Sequence, residues 1–78
     1  MKASDARALL ERKYKDEIDD VMEDIYTDIE TAIELHGLYR TSWSPSEEQL
    51  RLVPTIIRKL EANGYIVNKL NGLVMIYW

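Results

Sequence analysis

The sequence predicts an α+β domain: a long N-terminal helix on a three-stranded antiparallel sheet, with one or two short helices between the strands. Three observations predict it. Apolar residues recur in steps of three and four from Leu10 to His36. Two prolines and a capping sequence divide the middle of the chain into short helical pieces. Two runs rich in β-formers flank Asn71-Gly72 near the C-terminus.

The helix is expected from about Ser4, a capable N-cap, to His36. Leu10, Tyr14, Ile18, Val21, Ile25, Ile29 and Ala32 or Ile33 form its apolar stripe. Neither proline nor glycine interrupts the run before Gly37, which suits a left-handed C-terminal cap. At 1.5 Å per residue such a helix is roughly 50 Å long, longer than a small globule needs. Residues 16–78 therefore read as the core of one domain spanning 1–78, with 1–15 as a projecting or frayed extension.

Leu38 to Trp43 alternates and favours a short strand. Ser44, Pro45 and Glu47 read as a capping box with proline in the first turn. Pro54 lacks an N–H, so a break is expected near Val53. A second short helix then runs from Pro54 to about Asn63, burying Ile56, Ile57 and Leu60. Tyr65 to Leu70, Asn71-Gly72 and Leu73 to Trp78 make a hairpin on a two-residue type I′ turn. That register pairs Leu70 with Leu73, Asn68 with Met75, Ile66 with Tyr77 and Tyr65 with Trp78. Both faces of the hairpin are largely apolar, so each is expected to be covered: one by the long helix, the other by the short helices or a partner.

Composition narrows the function classes. A chain of 78 residues buries only about 60% of its unfolded surface, which leaves little room for an enclosed substrate pocket. The 46% hydrophobic and 31% charged content is that of a folded chain. With no cysteine there is no disulfide or thiolate metal site, in keeping with a reducing cytoplasm. No signal peptide is expected at the N-terminus, and no apolar run is long enough to span a bilayer. His36 is the only histidine, and at a helix C-terminus it complements the dipole. The serines around Pro45 are explained by capping. No cofactor or metal is expected, and the chain reads as a non-enzyme.

The charge of −4 is unevenly spread. Residues 1–15 are basic, whereas nine acids and no base lie between Asp16 and Glu34. Asp16, Asp20, Asp24 and Asp28 form one row, expected opposite the Ile18–Ile25–Ile29 stripe. No base within the run relieves it, and like charges four apart cost a few tenths of a kcal/mol per pair. The row is a solvated face or a strip that docks on a basic protein surface. The second candidate surface is the hairpin face of Ile66, Leu70, Leu73, Met75 and Tyr77, free to meet a partner or a second copy.

The element order is also that of a winged-helix domain. Pro54–Asn63 would then be a recognition helix exposing Thr55, Arg58 and Lys59, with Lys69 on the wing. A chain with pI near 4.9 lacks the basic footprint nucleic-acid binders need, so DNA binding is the weaker reading. A third reading is an oligomeric protein that sequesters a small anionic ligand through residues such as Arg40 and Arg51.

Ile29, Ala32, Ile33 and Gly37, then Leu60, Gly64, Tyr65 and Val67, then Gly72, Ile76 and Trp78 follow a pattern of their own. It resembles that of small uncharacterised bacteriophage and prophage proteins, with a long helix ending in glycine, an LxxxGYxV helix-to-strand junction and a hairpin finishing IxW. The resemblance spans most of residues 25–78 and implies a helix–strand–helix–hairpin fold of phage origin. It transfers no site residues. The expectation is a non-catalytic protein that binds a protein or itself as a homo-oligomer. Its place would be the host bacterial cytoplasm or the virion, as an assembly component or an inhibitor of a host factor.

Overall fold

In the computed structural model, which describes residues 1–78, the apolar stripe of the N-terminal half folds as two consecutive helices. These are α1 (Ala3–Lys13) and α2 (Lys15–His36). Tyr14 interrupts them at φ −109° and ψ 23°. The Tyr14 N–H still donates to the Leu10 carbonyl and the Ile18 N–H to the Tyr14 carbonyl, so the interruption costs neither of those bonds. The single long helix expected is thus divided, and the division falls where the chain leaves the core. Ile18, Val21, Ile25, Ile29 and Ala32 of α2 are buried, whereas α1 buries nothing. This is why the molecule measures 45 × 23 × 23 Å.

Ser4 does not cap α1. Lys2 occupies that position, and its N–H donates to the Asp5 carboxylate at 3.3 Å. A negative group in the first turn serves the exposed amides and the helix dipole together. At the other end Gly37, at φ 60°, closes α2 by donating to Ile33, and Leu38 donates to Ala32.

The chain turns into β1 (Arg40–Trp43) and then a 3-10 helix, Glu47–Leu52. Of two overlapping S-x-x-E/Q capping sequences the fold uses the second. Ser46 Oγ accepts from the Gln49 N–H at 3.3 Å, and Gln49 Oε1 accepts from the Ser46 N–H at 2.9 Å. Ser44 and Glu47 are therefore not the capping pair. Starting at Glu47 leaves Trp43 in the sheet and brings Leu52 and Val53 into the core.

Helix α3 (Val53–Ala62) follows with Pro54 in its first turn, where no N–H is needed. Ile56 and Leu60 are fully buried and Ile57 half-buried. Thr55 is buried too, at 2% exposure, which corrects its expected place on the open side of this helix. The 3-10 helix, α2 and β2 all pack on α3, so a wider arc is enclosed than one-sided amphipathicity suggests.

β2 (Ile66–Leu70) and β3 (Leu73–Tyr77) form the hairpin in the expected register. Asn71 and Gly72 both have positive φ, 50° and 82°, as a type I′ turn demands. Beyond the ladder, the Tyr65 and Trp78 rings meet edge to face at 6.4 Å. β1 pairs antiparallel with β3, giving the strand order β1-β3-β2, a three-stranded sheet in a winged-helix-like element order. Val74 and Ile76 of the central strand point inward, onto Ile25, Ile29 and Leu60 within one apolar cluster.

Candidate protein-docking face

Strand geometry builds the site. Side chains alternate across a sheet, so with Val74 and Ile76 turned into the core, Leu73, Met75 and Tyr77 point out. The two registers then place outward residues in cross-strand rows. Arg40, Tyr77 and Ile66 form the first, Ser42, Met75 and Asn68 the second, and Leu73 with Leu70 the third. Both helices that pack on the sheet, α2 and α3, lie on its other side, among the buried residues. Of the two arrangements expected, the one with helices on both faces does not form. Ile66 is 65% exposed, Leu70 59% and Leu73 38%, while Met75 and Tyr77 are half-buried by their neighbours.

All five residues named on this face from the sequence are thus brought together on one uncovered surface. Two further residues extend it. Leu50 of the 3-10 helix, 54% exposed, lines a shallow groove of ≈ 360 Å³ with Pro45, Pro54 and Leu73, so the apolar surface continues round the hairpin tip. Arg40 supplies the single charge among the outward residues of the three rows. Leu50 was invisible as a surface residue because its neighbours Leu52 and Val53 are buried, and the 3-10 rotation that separates them is not written in the periodicity.

The acidic row is exposed throughout, but it winds. Each step of four residues overshoots a helical turn. Asp20 and Asp24 come to share a groove with Ser46 and Glu48, and Asp24 and Asp28 one with Trp43 and Ser44. The row opposes the core-facing stripe at Asp16 and winds round to flank it at Asp28. The acidic run is relieved from outside it, by bases that the pattern within the run does not reveal. Lys15 Nζ lies 2.7 Å from Asp19, and Arg51 Nη2 lies 3.1 Å from Glu17. The hydrogen bond from Lys15 to Asp19, and then their Coulomb attraction, raise the lysine pKa above its ordinary 10.5. Asp16, Asp20, Asp24 and Asp28 themselves have no basic partner, and none lies on the open sheet face.

The basic residues of the DNA reading are not assembled for it. Thr55 is buried, Arg58 is paired with Glu11 of α1 at 3.4 Å, Lys59 is exposed beside it, and Lys69 lines the groove at the hairpin tip with Pro54. Arg51 is likewise engaged, by Glu17 and by the Tyr14 ring 4.6 Å from its guanidinium carbon. It does not converge with Arg40 on an anion site. His36 is exposed at the end of α2. No group of acidic or histidine side chains is spaced to hold a metal ion, and no helix is long and apolar enough to cross a membrane. No protein-family model, curated protein or solved structure matches the chain.

Proposed function

We propose that this chain works by binding protein through the outer face of its sheet. The observation that carries this is the contiguous apolar surface of Ile66, Leu70, Leu73, Met75 and Tyr77 with no element of the fold over it. An antiparallel sheet with one solvated face normally presents polar residues there. This one exposes large aliphatic side chains side by side, and contiguous apolar patches, unlike single exposed residues, mark partner surfaces. The acidic row is a solvated face that keeps the chain soluble despite the apolar patch.

The assignment to a phage or prophage, as an assembly component or an inhibitor of a host factor, rests on the sequence resemblance alone. DNA binding, the runner-up, is supported by the strand order and opposed by the scattered basic residues. The test is the paired substitution Leu70→Asp and Leu73→Asp. It should abolish partner binding and any self-association while the chain stays folded. If both persist in the variant, the sheet face is not the binding surface.

A further inference from the structure

Resting on that reading, we infer that the partner presents an amphipathic helix bearing a carboxylate. Three features of the face lead there. The first is size. β2 and β3, five residues each, and β1, four, at about 3.4 Å per residue and about 4.8 Å apart make a platform of roughly 15 by 17 Å. A stable globular interface needs about 800 Å² from each side, several times that platform. One helix about 10 Å across and three turns long matches it.

The second feature is the apolar floor. An extended segment lying flat on Ile66, Leu70, Leu73 and Met75 would press unpaired backbone N–H and C=O groups against aliphatic carbon. A helix satisfies its own backbone and offers only side chains. The inner face of this sheet is already covered in that way, by α2 and α3.

The third is charge. Arg40 stands opposite Tyr77 in the first row and belongs to none of the three ion pairs of the molecule. A lid over this row removes water from its guanidinium, and an acid on the lid offsets that loss more strongly than a neutral acceptor does. A second copy packed face to face cannot supply one, because the outward rows hold no carboxylate. Asp28 of α2 shares the groove at the free edge of β1 with Arg40 and Met75, but it lies off the outward rows and forms no ion pair with Arg40.

The probes are two synthetic helical peptides of about three turns with the same leucine face, one flanked by glutamate and one by lysine. Each is titrated into the isotopically labelled full chain while amide shifts are followed. The glutamate peptide should shift Ile66, Leu70, Leu73, Met75 and Tyr77 and bind at least about tenfold tighter. Arg40→Glu should reverse that preference. Equal binding of both peptides to this face, before and after the reversal, overturns the acidic partner and leaves the docking surface intact. So does a doubled mass in light scattering that Leu70→Asp with Leu73→Asp restores to a monomer, since the occupant is then a second copy. Shifts confined to other surfaces overturn the inference. The docking reading falls with it only if that double variant also keeps its protein partners.

Discussion

Leu70 and Leu73 face each other across the Asn71-Gly72 turn, and both direct their side chains away from the core. In a hairpin that serves only to complete a core, this non-contacting side of the ladder is where polar residues belong. The pair therefore separates stability from function, because it can be altered without changing a core residue.

Leu70→Asp with Leu73→Asp should lower stability by no more than about 1 kcal/mol, the scale of like charges set opposite each other on a strand pair. Urea unfolding monitored at Trp43 and Trp78 measures it. A loss of several kcal/mol would mean that these leucines are packed, not free.

Ile76 is the contrasting case. It lies on the same strand, faces the other way and is fully buried. Ile76→Ala should cost about 2–5 kcal/mol by transfer and cavity terms. In a small domain of single-digit stability that consumes much of the total, so the midpoint of urea unfolding should fall steeply.

The turn itself is specified by backbone conformation. Gly72 holds φ 82° with open space where a Cβ would be, so substitution there costs conformational energy and not a clash. Gly72→Ala should destabilise by roughly 1–2 kcal/mol, while Asn71→Gly should be nearly neutral. Thermal unfolding of both variants tests the assignment.

Helix α1 should exchange its amides far earlier than α2. Nothing in α1 is buried, and one exposed ion pair, Glu11 with Arg58, ties it to α3. Such pairs contribute about 0–1 kcal/mol. Local opening of α1 is therefore expected at least about a thousandfold more often than opening at Ile25 or Ile29. Hydrogen exchange resolved by residue will show whether α1 and α2 unfold apart or as one helix.

The hairpin was the most legible element in the sequence, because Asn-Gly fixes both turn type and register, and the observed pairs follow residue for residue. The break before α3 was legible from Pro54 for the same local reason. Less of the long helix could be read. Tyr14 is only a middling helix former but is flanked by the good ones Lys13 and Lys15, and the interruption there reflects where tertiary packing stops. The 3-10 start at Glu47 was hidden because Ser44 and Ser46 both begin acceptable capping sequences, and only the burial of Leu52 and Val53 decides between them. As for the site, the five hairpin residues were found by alternation alone. That no helix lies over them follows from α2 and α3 sharing one side of the sheet, which no local pattern encodes.

The most direct test places a photoreactive residue at Ile66, the most exposed side chain of the proposed face, and another at Asp20 on α2. Both variants are expressed in a bacterium and irradiated. The account predicts a discrete covalent adduct from position 66 that disappears when Leu70→Asp and Leu73→Asp are added, and none from position 20. An adduct that survives the two aspartates, or the same products from both positions, would contradict it.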